Sequence, residues 1–429
     1  MSFEKLHPHG RLTVAAAEFA WDFYRHISMK YPNEVKNVII SPALAQYQMA
    51  FMLQMATGET RKQLFRSMHL LEDDDAHELM RWMIWVIDYF KREVASSHGT
   101  TPKSVLVIAR ENANYTSSII QWVNLYRAHK NHVVVPALKG KEKKIGDLVN
   151  RLTGSFPKVN ISKPAEPDMF APLTFNENTK AVVAMKFICQ LFLPSSNSPV
   201  KVSPNRVAFW RTPVNKDDPQ GEETLGKVRV IQLVKRVEYL TDDQCEIMGL
   251  DLFPSNLSVY FLLPKEVLLD GQNANVNHSL VLFEEGLNGR TLHNYIQRLI
   301  PQRTKRHTEL MITIPCFDFC TRASLDGTMK EMGLENLFNP ANADWTNLFT
   351  GMAVGDFYLS EVEQVASVQM LPTSVASNTH IKLKKAPPIP FPIEFDGLKF
   401  TLNRPFLFFI FDHFTRVFLV FGRCENPCD

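Results

Sequence analysis

The order of periodic segments along this chain predicts an α+β fold. Helix-like apolar spacing comes mainly first and strand-like alternation mainly last, without the regular alternation of a doubly wound sheet. Of the 429 residues, 45% are hydrophobic and 21% charged, so there is ample apolar surface for a core. No internal repeat is visible; length alone suggests two or three domains, although a single domain over 1–429 is also within range.

The first element is a helix, because Ala16, Phe19, Phe23 and Ile27 share one face. A short strand, Asn37 to Ile40, follows. Ser41 then suits an N-cap, Pro42 a first helical turn, and Gly58 a helix end, with another helix from near Thr60. "HELMRWMIWVIDYFKREV" is apolar nearly all round from Leu79 to Phe90. At about 18 Å it is too short to span a bilayer and reads as a buried helix. "LKGKEKKIG" is a basic run, read as solvated surface, and "FPKVNISKPAEPDMFAPL" is a loop. Strands are expected at "KAVVAMKFICQLFL", "KVRVIQLV", "CEIMGLDLF" and "LSVYFLLP", then a helix over Thr291–Ile300. "ELMITIPCFDF" predicts a strand and "SLDGTMKEMGLENLF" one helix; "FYLSEVEQVASVQM", "LKFTLNRPFLFFIFD" and "RVFLVFGR" close the chain as strands.

Composition excludes some functions. A formal net charge of +2 argues against nucleic acid or an anionic membrane as partner. "MSFEKLHPHGRLT" has no apolar stretch of signal-peptide length, so a cytoplasmic monomer is expected, with export through an uncleaved signal as the alternative. The sequons at Asn114, Asn160, Asn256 and Asn277 would matter only after secretion. Cys316 and Cys320 in "CFDFC" would lie about 13 Å apart on one strand face, beyond a disulfide's reach, and the six cysteines are read as free buried thiols. No metal site or cofactor is expected. No Gly-x-Ser-x-Gly, phosphate loop or His-Glu-x-x-His occurs, and single histidines such as the one in "DHFT" have no partner in sequence. No residue is assigned a catalytic role, and an enzyme is not expected.

Several collinear blocks resemble one family. "NVIISPALAQYQMAFMLQMATGETRKQL" resembles the strand, Ser-Pro and helix block of serpins. "LSVYFLLPKE", "ITIPCFDF" and "YLSEVEQVA" look like serpin segments too. "LNRPFLFFIFDHFTRVFLVFGRCENP" is similar to the C-terminal signature, with Arg404, Pro405, Phe406, Phe421, Gly422, Arg423, Asn426 and Pro427 in place. The resemblance implies a single domain with three sheets, eight or nine helices and an exposed reactive-centre loop over about 372–396. It implies a suicide-substrate inhibitor of a serine peptidase, in which the cleaved loop inserts into the main sheet.

Two features of that loop point in opposite directions. From Val375 to Lys384, the odd positions Val375, Ser377, Thr379, Ile381 and Leu383 form a small or apolar face; the even ones are largely polar. Insertion needs such alternation. Against it, the family's acidic hinge and glycine fall on Pro372, Thr373 and Ser374, followed by Val375, Ala376 and Ser377. Pro372 has no N–H to give a sheet ladder. The family's latch beneath the sheet keeps Ser41, while its other positions fall on Leu44, Met185 and Gln364. Counting from the hinge puts the scissile bond near Pro388-Ile389, and Lys384 and Lys385 are the bait candidates for a trypsin-like peptidase. A non-inhibitory binding or structural protein on the same fold is the alternative.

Overall fold

Apolar spacing sorts the chain into nine helices and sixteen strands among the described residues of a computed structural model. These are residues 10–28, 37–71, 73–90, 102–110, 114–128, 132–135, 179–191, 201–203, 206–210, 224–252, 256–265, 278–304, 308–370 and 392–427. They fall into two units. The first comprises Met1–Lys30, Ile40–Ile188 and Thr321–Ala366; the second comprises Tyr31–Ile39, Cys189–Cys320 and Ser367–Asp429.

In the first unit, α1 (Gly10–Ser28) buries the face that spacing predicts: Ala16, Phe19, Phe23 and Ile27 are all buried. Arg25 and His26 in its last turn complement the helix dipole. Helix α2 (Pro42–Met55) is buried at every one of its 14 residues, which is why its sequence shows no polar face. Pro42 stands at its start as expected. Ser41 occupies the N-cap position, but its side chain makes no capping bond.

Gly58 does not end that helix. It opens α3 (Gly58–Ser67), at φ +55°, and a Cβ there would lie 2.6 Å from Asp344 Oδ2. The turn is made by Asp344, whose carbonyl accepts from Thr57 N–H and whose carboxylate accepts from the Thr57 hydroxyl. Glycine serves here because the chain must turn left-handed against an acidic side chain.

Helix α4 (Asp73–Tyr89) packs on α2, and Gln54 Nε2 donates to Ala76 O at 3.0 Å to satisfy a polar group inside that contact. Strands β2 (Lys103–Ala109), β3 (His132–Val135) and β4 (Ala181–Leu191) follow, with α5 (Ile120–Ala128) between the first two.

In the second unit, nine strands form one sheet. Its path begins with β1 (Val38–Ile40), then β16 (Val417–Cys424), β15 (Phe406–Asp412), β10 (Leu257–Pro264) and β9 (Cys245–Leu252). It ends with β8 (Val230–Thr241), β11 (Thr308–Pro315) and β14 (Lys399–Thr401), while β5 (Lys201–Val202) pairs with β8. β6 (Val207–Trp210) and β7 (Thr224–Val228) form a separate two-stranded sheet. "KVRVIQLV" is thus split at Arg229 between β7 and β8. Helices α6 (His278–Gly286) and α7 (Gly289–Thr304) complete this unit.

Strands β10, β15 and β16 are buried at every position, which explains their continuous apolar runs. Phe261, Phe317, Phe406 and Phe408 interlock at tilted or edge-on angles, with ring centroids 5.5–6.4 Å apart. The apolar run near the C-terminus is therefore two strands joined by a turn. No helix among the described residues is long and apolar enough to cross a membrane.

β12 (Phe317–Ser324) alternates as its sequence suggests. Its phenylalanines point inward, leaving Cys316 half-buried and Cys320 exposed. The expectation of buried thiols fails at Cys320, because Phe317 and Phe319 claim the core face. It holds at Cys189, Cys245 and Cys424, whereas Cys428 lies outside the described residues. The helix predicted at "SLDGTMKEMGLENLF" is two short ones, α8 (Asp326–Glu331) and α9 (Glu335–Phe338), parted by Gly333 in a left-handed turn.

Candidate functional site

The candidate site is the middle of a five-stranded sheet ordered β12, β13 (Glu361–Met370), β4, β2, β3. β13 and β4 are hydrogen-bonded neighbours. Their lower ends are stitched together: Ser360 N–H donates to Ala181 O at 2.8 Å, and Lys180 N–H donates to Ser360 Oγ at 2.9 Å. From Val362 to Val368 every residue of β13 is buried, including Glu363, Gln364 and Ser367. β13 ends at Met370, and residues 371–391, which follow it in sequence, lie outside the described residues.

Gln364 holds the backbone at the start of α2. Ser41 N–H donates to Gln364 Oε1 at 2.8 Å, and Gln364 Nε2 donates to Ser41 O at 3.0 Å. Both residues are at most 1% exposed. A primary amide suits this task because it offers a donor and an acceptor side by side, matching a backbone N–H and C=O. Leu44, one turn into α2, is 1% exposed, and Met185, opposite Ser104 in the β4–β2 ladder, is fully buried. Of the four predicted latch positions, Ser41 and Gln364 are joined by hydrogen bonds, while Leu44 and Met185 contribute apolar surface.

A cluster of acids stands at the first residues of β13. Arg322 on β12 binds both oxygens of Glu363, at 2.9 and 3.0 Å. Asp326 Oδ1 accepts from Val362 N–H and Ser324 Oγ–H. Burial, followed by the charges of Glu363 and Asp326, pushes the Glu361 carboxyl up to about 7. The Arg322 guanidinium thus pairs with Glu363 and also acts on the charge of Glu361.

The predicted hinge (Pro372, Thr373, Ser374, Val375, Ala376, Ser377) and the bait candidates (Lys384, Lys385, Pro388, Ile389) lie outside the described residues. So does the basic run from Leu138 to Gly146. Beyond them, Ile393 N–H donates to Gln232 Oε1 on β8 at 3.2 Å.

Sequence reasoning missed a second polar group. His413, read as a lone histidine, has its Nε2 3.0 Å from Ser258 Oγ and 3.1 Å from Tyr260 Oη. Its partners lie more than 150 residues away in sequence, so no local signal could have shown them. Cys245 is held differently: burial first, then the Asp242 charge, pushes its thiol up to about 12, which makes it unreactive.

Comparison with known proteins gives these features a context. The model of the family described as "Serpin (serine protease inhibitor)" matches residues 216–427. The macrophage plasminogen activator inhibitor 2 of Mus musculus is 28% identical over 194 residues, 44% of this chain and 42% of that protein, so the match spans less than half of either. The corticosteroid-binding globulin of Ovis aries is 23% identical over 439 residues, covering 98% of this chain and 86% of that protein. The solved structure titled as that of a tumour suppressing serpin superposes with a TM-score of 0.71 at 17% identity, over 97% of this chain and 99% of that one.

These matches support the serpin family, with the family model covering just under half of the chain. Three sheets and nine helices among the described residues agree with the serpin expectation of three sheets and eight or nine helices.

Proposed function

We propose that this serpin is a stoichiometric peptidase inhibitor, acting as a suicide substrate through residues 372–396, with a trypsin-like serine peptidase as target. The observation that carries the reading is the period-two alternation from Val375 to Leu383, continuous in sequence with β13. A cut loop with one small or apolar face can enter between β13 and β4, where side chains on one face meet the core. The protein is consumed rather than turned over, so it is not an enzyme. It needs no cofactor, and it works as a monomer and a single domain in the cytoplasm.

Opening the sheet would have a definite physical cost. Parting β13 from β4 breaks their ladder, and β13 cannot move away from α2 without breaking the Gln364–Ser41 pair. Ser41, Leu44, Met185 and Gln364 therefore act as the latch. Lys384 and Lys385 are the bait, and Pro372 to Ser377 the hinge that must straighten.

Pro372 favours a second reading, a binding protein on the serpin scaffold, since it removes a ladder donor where the loop would start to insert. The likeness to a corticosteroid-binding globulin is in keeping with it. One experiment separates the two. The protein is incubated with a trypsin-like peptidase, run on a denaturing gel, and melted before and after cleavage. A covalent band that survives denaturation, with a large rise in melting temperature, is the expected result. Clean cleavage with neither would leave the binding protein.

A further inference from the structure

Strand register in the nine-stranded sheet brings five polar side chains onto one face. Glu238 on β8 lies opposite Gly249 on β9, and Gly249 lies opposite Tyr260 on β10. Two residues along, Asp251 lies opposite Ser258, and Ser258 opposite Phe411 on β15. His413 follows Phe411 by two residues. Positions two apart on a strand share a face, so these rows stack.

Gly249 makes room for the arrangement. A Cβ there would sit 2.5 Å from the Tyr260 ring and 3.0 Å from Glu238 Oε2. Across that gap, Tyr260 Oη–H donates to Glu238 Oε2 at 2.5 Å, and Ser258 Oγ–H donates to Asp251 Oδ1 at 2.7 Å. Because both hydroxyls spend their protons on carboxylates, their oxygens accept from His413, which sets its Nε2 as a proton-bearing nitrogen aimed into the cluster. The imidazole is pinned from behind. Asp412 caps the turn through Phe414 N–H and Thr415 N–H, His413 N–H donates to Asn256 O, and the Phe411 ring meets the imidazole edge-on at 5.3 Å.

We propose that Glu238, Asp251 and His413 form a binding site for a divalent borderline metal ion of the zinc class. One donor atom from each residue lies within 4.8 Å of the others. A tetrahedral site with bonds of about 2.0–2.1 Å needs donors about 3.3 Å apart, which small side-chain rotations supply. One imidazole and two carboxylates suit zinc or cobalt better than calcium, which takes oxygen alone. The outer shell is built: each carboxylate already holds a hydroxyl, as ligating carboxylates do in metal sites. Access is one-sided, since Glu238 is 3% exposed while Asp251 and His413 are half-buried. On binding, the ion takes the place of the His413 Nε2 proton, which leaves to solvent, and two carboxylates balance its charge. Lys235, which interacts with Asp251, remains outside the three donors.

The test is titration of the metal-free full chain with Zn²⁺ alone by calorimetry, and with Co²⁺ alone by visible absorption. His413→Gln and Asp251→Asn are the variants, because both positions are half-buried and tolerate polar replacement. One ion per chain is expected, with at least a tenfold loss of affinity in each variant and an intense Co²⁺ band that each variant abolishes. If Asp251→Asn fails to fold, His413→Gln alone decides. No binding overturns the proposal. So does binding unchanged by both substitutions, including binding lost instead in Cys320→Ser, which would put the ion on the cysteine face. Calcium binding in preference to zinc would overturn the metal class.

Discussion

Gln364→Ala should destabilise the protein by about 2–4 kcal/mol. The substitution removes the acceptor of the buried Ser41 N–H and the side-chain donor to Ser41 O. Losing the partner of a buried backbone donor costs about 1–3 kcal/mol. Ser41 O also accepts from Ala45 N–H at 3.4 Å, so its loss is smaller, about 1 kcal/mol. The space left by the amide adds to both. Urea unfolding is the assay: the midpoint should fall with the slope unchanged, since the same surface is exposed. Gln364→Glu is the control. A carboxylate still accepts from Ser41 N–H but faces Ser41 O without a donor, so this variant should be destabilised at neutral pH. It should recover as acid restores the proton. A Gln364→Ala midpoint equivalent to less than about 0.5 kcal/mol of change would refute the assignment of these bonds as a structural tie.

Glu361 makes stability depend on pH. Its folded pKa is raised to about 7 from 4.5, so the folded state prefers the protonated acid. Its contribution is full below pH 4.5 and is lost as pH rises through 7. For a half-exposed group the loss is about 1 kcal/mol after screening. Glu361→Gln should flatten that part of the melting-temperature profile, and an unchanged slope would contradict it. Gly58→Ala should cost about 1–3 kcal/mol in thermal unfolding, from a positive φ and collision with Asp344. Among the described cysteines, Cys320 should react first with an aromatic disulfide reagent, and Cys320→Ser should remove that fast phase while Cys245 stays silent.

Much of the fold was legible because burial imposes a period. Ala16, Phe19, Phe23 and Ile27 mark α1, and the largely apolar runs of β10, β15 and β16 mark buried strands. Local signals misled where a distant partner decides the outcome. Gly58 has the residue type of a helix end, but Asp344, far along the chain, sets its turn. Cys320 has the right period for its face, yet which face is inside is fixed by Phe317, stacked on Phe319, meeting Phe406 and Phe408. Gln364 reads as an exchanged latch residue; only the sheet shows its amide matched to the backbone of Ser41. His413, Asp251 and Glu238 belong to three separate segments, and strand register alone unites them.

β10 sits in the interior of its sheet only because β15 covers one of its edges. That cover is drawn from a strand that begins at Phe406, far later in the chain than β10. Until Phe406 onward has emerged, a growing chain carries an eight-residue strand, apolar except for Ser258, along an unpaired border, the kind of border to which other nascent chains stick. A premature stop before Phe406 therefore yields more than a shortened protein: it leaves an adhesive seam that chaperones must shield.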